Sequence, residues 1–189
     1  MKRIAIFASG SGTNAENLIR YFRTRRSGRV ELVLTNKPKA GVIQRARSLG
    51  VDTIVFSREQ LYQSGEIFKV LQDREIDFIV LAGFLWLVPS GILDAFSEKV
   101  VNIHPALLPK YGGKGMYGRF VHEAVIASGD EESGITIHKV NQAYDEGDVI
   151  FQAKCPVEKD DTPETLASRI HELEYRYFPE VVEKLLNQF

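Results

Sequence analysis

The chain has 189 residues, of which 44% are hydrophobic and 26% charged, and its net charge is −1. This composition is typical of one soluble globular domain, and the balanced charge excludes a general attraction to nucleic acid or to an anionic membrane. The single cysteine excludes an intrachain disulfide, and no apolar run approaches the roughly 20 residues of a membrane span. We therefore expect a cytoplasmic protein with a mature N-terminus.

The first half of the chain alternates between strand and helix patterns. Helical spacing predicts helices at residues 15–25, 41–49, 66–74 and 92–96. Apolar runs rich in β-forming residues predict strands at 3–8, 30–35, 53–56 and 78–81. This alternation predicts an α/β fold, with a doubly wound, mostly parallel sheet and helices on both faces.

A glycine-rich turn follows the first predicted strand, and it contains Gly10, Ser11, Gly12, Thr13 and Asn14. A strand, a glycine-rich turn and a helix present backbone N–H groups to an anion. The third glycine of a dinucleotide fingerprint and the lysine of a P-loop are missing, so a single phosphate monoester fits best. The alternative is a purely structural turn.

The run from Val100 to His104 predicts a short buried strand that Pro105 ends. Side chains two apart on a strand share a face, so Asn102 and His104 project together at its carboxyl end. An amide beside an imidazole is suited to stabilising an oxyanion and moving a proton. The alternative is that His104 is a hydrogen-bonded core histidine.

Two unusual connections flank this strand. Before it, Leu85, Trp86, Leu87 and Val88 belong to an apolar segment that either floors a pocket for a flat ring or is a buried loop. After it, residues 111–118 contain four glycines, which favours a mobile lid over an ordinary surface loop.

The last third of the chain predicts an antiparallel extension of the sheet. Alternating patterns predict strands at 134–140 and 149–157, which follow a helix at 120–127 and precede one that runs from Pro163 to Asn187. The acidic turn between the strands contains Tyr144 and Asp145. Asp145 is either a turn former or a carboxylate that stabilises His104. No histidine or cysteine cluster has zinc-ligand spacing, so we predict no metal.

Taken in order, Gly-Ser-Gly-Thr-Asn at 10–14, Asn-Ile-His-Pro-Ala-Leu-Leu-Pro-Lys at 102–110 and the acidic loop at Asp145 resemble the folate-dependent formyltransferases. The resemblance covers the whole chain and implies one formyltransferase domain, 1–189. Residues 1–100 would form its phosphate-binding half, and residues 101–189 its catalytic and folate-binding half. It implies formyl transfer from 10-formyltetrahydrofolate to the amine of glycinamide ribonucleotide, in purine biosynthesis.

The resemblance also implies roles for particular residues. The catalytic residues would be Asn102, His104 and Asp145. The substrate would be bound by Gly10, Ser11, Gly12, Thr13, Asn14 and Glu174. The folate would be bound by Leu85, Trp86, Leu87, Val88, Asn102, Tyr144 and Asp145. Both partners would be small molecules.

The chain departs from the family pattern at Trp86, where many relatives carry an arginine, and in its lid, where Lys114 is a candidate anion contact. Three other functions remain alternatives. A formyltetrahydrofolate hydrolase would use water at the same three residues, although the phosphate-binding turn argues against it. A non-catalytic mononucleotide-binding module and a nicotinamide-dependent oxidoreductase are the others.

Overall fold

The computed structural model describes residues 1–189 as one seven-stranded sheet with helices on both faces. The strands are β1 (Lys2–Phe7), β2 (Gly28–Thr35), β3 (Asp52–Val55), β4 (Phe78–Leu81), β5 (Val100–His104), β6 (Glu132–Lys139) and β7 (Val149–Pro156). The helices are α1 (Thr13–Phe22), α2 (Gly41–Ser48), α3 (Arg58–Tyr62), α4 (Glu66–Asp73), α5 (Ser90–Ala95), α6 (Arg119–Ser128) and α7 (Pro163–Leu186).

The order of strands across the sheet is β3-β2-β1-β4-β5-β6-β7. Neighbours from β3 to β5 pair in parallel, and β6 and β7 add antiparallel strands. The predicted fold class is therefore confirmed, including the antiparallel extension. The predicted elements are found with ends that shift by up to three residues, but the prediction missed α3.

The sheet divides the hydrophobic core into two layers, as a buried parallel sheet should. Ile4 and Ile6 of β1 pack in the larger cluster, together with residues of α1, α2, α6 and α7. Ala5 and Phe7, which alternate with them, pack in the second cluster with residues of α3, α4 and α5. The even and odd positions of one strand thus serve opposite faces.

The longest helix, α7, begins at a capping box. Thr162 accepts a hydrogen bond from the backbone N–H of Thr165, the Thr165 side chain accepts one from the N–H of Thr162, and Pro163 occupies the first turn. The helix packs against α1 and α6, which brings Glu174 to the carboxyl edge of the sheet. None of the helices combines the length and apolar character needed to cross a bilayer.

Candidate active site

The main cleft has a volume of about 620 Å³ and lies where the parallel strands end. Its walls come from residues directly after β1, β2 and β4, from the end of β5, and from one face of α6 and of α7. Crevices at the carboxyl ends of strands are the usual ligand sites of open α/β sheets. This cleft is therefore the candidate active site.

His104 and Asp145 meet inside the cleft, although 41 positions separate them in the sequence. The His104 ring is 3% exposed, and its Nε2 lies 2.7 Å from the carbonyl oxygen of Tyr111. A carbonyl only accepts, so Nε2 carries the proton. The other nitrogen, Nδ1, lies 3.5 Å from Oδ2 of Asp145. Protonation of Nδ1 would therefore place a cation directly beside the carboxylate.

Asn102 joins the same cluster through its amide nitrogen. Nδ2 lies 3.1 Å from Nε2 of His138 and 3.3 Å from Oδ1 of Asp145. His138 donates from Nδ1 to the carbonyl oxygen of Lys139, 2.7 Å away, which leaves its Nε2 free to accept from Asn102. No role was predicted for His138 from the sequence. Its position opposite Asn102 in the pairing of β5 and β6 brings it here.

Burial and charge set the protonation of this cluster. Burial lowers the pKa of His104 below its ordinary value despite the opposing charge of Asp145, so the ring is mostly neutral at neutral pH. Burial alone would raise the pKa of Asp145, but His138, His104 and the N–H of Gly113 together hold it below its ordinary value. The cluster therefore pairs a neutral base with a permanent carboxylate.

The glycine-rich turn opens into the same cleft. Gly10, Ser11, Gly12 and Asn14 line it, whereas Thr13, the first residue of α1, does not. Gly12 has a φ of 80°, and a Cβ there would lie 2.4 Å from Val42. Only glycine allows this turn to pack so closely on α2.

Glu174 reaches this turn from α7. Asn14 donates from Nδ2 to Oε2 of Glu174 at 2.8 Å. The Glu174 side chain is almost fully buried, and this burial raises its pKa to about 7 despite the hydrogen bond from Asn14. Glu174 is therefore a carboxyl group that is partly protonated and partly ionised near neutral pH, and it lines the cleft next to the glycine-rich turn.

The apolar segment after β4 lines two adjoining cavities. Leu85 and Trp86 face the main cleft together with Tyr144. Leu87 and Val88 line a second cavity of about 40 Å³, which also touches Asn102, Tyr144 and Asp145. The seven residues predicted to bind folate therefore line these two adjoining cavities, which share Trp86, Asn102, Tyr144 and Asp145.

Several cleft residues were not assigned from the sequence. His122 of α6 and Lys37 face the cleft, as does Lys114, which the sequence had already suggested as an anion contact. Arg58 of α3 stacks over the Trp86 ring at 5.4 Å from its centroid. No three histidine, cysteine or acidic side chains converge on a position that would suit a metal ion.

The fold and the cleft define a doubly wound α/β protein whose cleft holds the buried His104 beside the half-buried Asn102 and Asp145, together with a glycine-rich turn. A family model described as "Formyl transferase" matches residues 2–182. The chain therefore belongs to the formyl transferase family, whose formyl donor is derived from folate.

Named relatives agree with this family. The chain is 41% identical over 187 residues to a chloroplastic phosphoribosylglycinamide formyltransferase of Arabidopsis thaliana, and the match covers 96% of this chain and 64% of the relative. It is 32% identical to the phosphoribosylglycinamide formyltransferase of Bacillus subtilis (strain 168), where the match covers 98% and 95%. The chain thus spans just under two thirds of the plant relative and nearly all of the bacterial one.

A solved structure agrees in fold. The glycinamide ribonucleotide transformylase 1 of Symbiobacterium toebii superposes with a TM-score of 0.91 at 34% identity. The match covers 100% of this chain and 89% of that one. The whole architecture is therefore shared, including the antiparallel strands β6 and β7.

Proposed function

We propose that the chain transfers a formyl group from 10-formyltetrahydrofolate to the amine of glycinamide ribonucleotide, as a phosphoribosylglycinamide formyltransferase of purine biosynthesis. Family membership and the names of the relatives support this proposal. The observation that carries the proposal is that a catalytic-type cluster and a glycine-rich turn line the same cleft. The Asn102, His104 and Asp145 cluster lies on one wall and the glycine-rich turn on another.

The cleft supports a defined orientation of the ribonucleotide. The N–H groups of the turn residues that line the cleft, at the start of α1, suit its 5′-phosphate. Glu174, bonded to Asn14, suits the ribose hydroxyls next to that phosphate. The glycinamide arm then extends toward His104, where its terminal amine would react. Thr13 begins α1 and does not line the cleft, so it would hold the turn in place without contacting the phosphate.

Proton transfer follows from the protonation of the cluster. The neutral amine attacks the formyl carbon, its nitrogen loses a proton, and the bond from that carbon to N10 of the folate breaks as N10 gains one. Nδ1 of neutral His104 can take the amine proton, because Asp145 at 3.5 Å stabilises the imidazolium that forms. The same proton can then be returned to N10.

Asn102 would stabilise the oxyanion of the tetrahedral intermediate. Its amide hydrogens are held by His138 at 3.1 Å and by Asp145 at 3.3 Å. The hydrogen bond from Asn102 to Asp145 is the longer of the two, so the developing oxyanion can replace Asp145 as its acceptor. This hydrogen bond becomes weaker when His104 is protonated, because the imidazolium then attracts the Asp145 carboxylate. Loss of one such donor typically costs about 2.7–4 kcal/mol of barrier.

The recess around residues 85–88 would bind the folate pterin. Its apolar walls suit a flat ring. Tyr144 bridges the recess, with its hydroxyl 3.4 Å from the carbonyl oxygen of Leu85. The formyl group at N10 would then face Asn102 and Asp145. No step requires a metal.

We also propose that residues 1–189 act as one cytoplasmic formyltransferase domain on these two small molecules. Residues 1–100 supply the phosphate-binding turn, and residues 101–189 supply His104 and Asp145. The division is not strict, because Trp86 of the first half lines the folate recess and Glu174 of the second half contacts the phosphate-binding turn.

A formyl-transfer assay tests the proposal. The protein is supplied with 10-formyltetrahydrofolate, with and without glycinamide ribonucleotide, and both formylated ribonucleotide and free formate are measured. We expect product only when the amine is present. Formate release without the amine would instead indicate a hydrolase, and binding of the ribonucleotide without any turnover would indicate a non-catalytic module.

A further inference from the structure

His122 is a buried polar side chain whose hydrogen bonds are not satisfied within the protein. It lies on α6, is 3% exposed, and lines the main cleft. Its Nδ1 is fully enclosed and has no partner. Nε2 also has no partner within the protein but is not enclosed as Nδ1 is, so it is the ring nitrogen that a molecule in the cleft can reach and the one whose hydrogen bond is still to be made.

The ring is a neutral hydrogen-bond donor under physiological conditions. Burial, reinforced by the neighbouring His171 and His104, lowers the pKa of His122 to about 4. The neutral ring carries one proton. An enclosed N–H without a partner is rarer in proteins than an unpaired acceptor, so the proton belongs on Nε2 and the bare lone pair on Nδ1. Nε2–H is then the donor available to the cleft.

The neighbours of His122 define which part of a ligand it meets. His104 marks the reacting end of the cleft. His171 lies one turn before Glu174 on the same face of α7, and Glu174 marks the ribose end. His122 lines the same cleft as His104 and His171, and both of them lower its pKa. A ligand group bound at His122 therefore lies between the sugar and the reacting amine.

We propose that His122 is a substrate-binding residue that donates Nε2–H to the carbonyl oxygen of the substrate's carboxamide. This inference rests on the proposed function, because the carboxamide is the group that joins the ribose to the amine in glycinamide ribonucleotide. The hydrogen bond fixes the arm that carries the amine, so it holds the nucleophile toward His104.

Three variants and two ligands test the inference by calorimetric titration. His122→Phe removes the donor and keeps a ring, His122→Gln keeps an N–H near the place of Nε2, and His122→Asn keeps only a shorter amide near Nδ1. We expect the Phe and Asn variants to bind glycinamide ribonucleotide about five- to tenfold more weakly than the wild type, and the Gln variant to bind it almost normally. Ribose 5-phosphate, which lacks the carboxamide, should bind equally to all four proteins.

The outcomes separate this inference from the proposed function. Equal affinity of the Phe variant and the wild type for glycinamide ribonucleotide would overturn the inference alone, as would an equal loss for ribose 5-phosphate. If the Phe variant does not fold, the affinities of the Gln and Asn variants for glycinamide ribonucleotide are compared instead. Equal affinities of these two variants would overturn the inference. A wild-type protein that ignores glycinamide ribonucleotide would overturn the proposed function as well.

Discussion

Asp145 combines a charge, two histidine contacts and an unusual backbone in one residue. Its carboxylate faces His104 and His138, each 3.5 Å away, and its φ is 57°. Asparagine and aspartate adopt this left-handed conformation more readily than most residues. The residue can therefore lose its charge by substitution without forcing the turn to change.

The first prediction follows from this property. Asp145→Asn should keep the fold and lower the turnover of formyl transfer by roughly 10²–10³-fold, because the imidazolium of His104 loses its counter-charge. Steady-state turnover and a thermal unfolding curve, measured on the same preparation, check it. Glu146→Gln in the same turn is the matched control. Near-normal turnover of the Asn variant would remove Asp145 from the chemistry.

At the scale of one element, Tyr111 connects the glycine-rich segment 111–118 to His104. The carbonyl of Tyr111 accepts from His104, while its hydroxyl lies 2.7 Å from Asp130 and 2.5 Å from Ser128. Tyr111 has a φ of 57°, which these side-chain contacts help to maintain. The segment after β5 therefore holds the His104 ring from outside the cleft.

We predict that Tyr111→Phe lowers kcat by about three- to tenfold with little change in either KM, since it frees the carbonyl that orients His104. Full pH–rate profiles should show a shifted limb, because the hydrogen bond from Nε2 contributes to the pKa of His104. Lys110→Gln, which removes an exposed partner of Asp130, is the control. An unchanged profile and an unchanged kcat in the Phe variant would contradict this account.

Helix α3 contributes the second element-scale effect. It holds Arg58 over the rings of Trp86, at 5.4 Å, and Tyr62, at 5.2 Å. Trp86 lines the recess proposed for the folate, so Arg58 supplies a positive charge at its rim. With the pterin ring of a folate inside the recess, its negatively charged glutamate tail would extend past this rim and meet the positive charge of Arg58.

Arg58→Gln should therefore raise the KM for the formyl folate by about two- to fivefold at low salt and much less at high salt. The KM for glycinamide ribonucleotide should not change. Lys69→Gln on the neighbouring helix α4 serves as the matched control. A salt-independent effect, or none, would show that Arg58 only packs on Trp86.

The sequence was sufficient for most elements, and the exceptions have physical causes. Helix α3 has five residues and too few apolar positions for a visible period, although the capping box formed by Ser57 and Gln60 was a readable signal. His138 was placed on a strand, but its meeting with Asn102 depends on the register between β5 and β6. Pairing across a sheet is not encoded in local periodicity. His122 gave no signal, because a single histidine on a helix has no pattern.

At the scale of the whole molecule, the buried carboxyl of Glu174 links stability to pH. Its pKa of about 7 lies above the ordinary value of 4.5, so the folded protein binds more protons than the unfolded chain between these values. This contribution to stability is complete below pH 4.5. The stabilisation is lost as the pH rises through about 7. The full shift of the Glu174 pKa corresponds to about 3 kcal/mol of free energy of unfolding.

Glu174→Gln removes this titration, which gives the fourth prediction. The free energy of unfolding of the wild type should fall more between pH 5 and pH 8 than that of the Gln variant, by up to about 3 kcal/mol. Denaturant unfolding at the two pH values, without ligand, measures it. Asp160→Asn on the surface is the control. Parallel pH dependences of wild type and Gln variant would mean that Glu174 ionises normally.

The pairing of Asn102 with His138 across β5 and β6 has a consequence for how this protein can change over evolutionary time. One residue inserted into or deleted from β6 ahead of position 138 would exchange the two faces of the strand, because side chains alternate along it. The imidazole would then turn away from Asn102. Length changes ahead of position 138 should therefore be selected against in that strand.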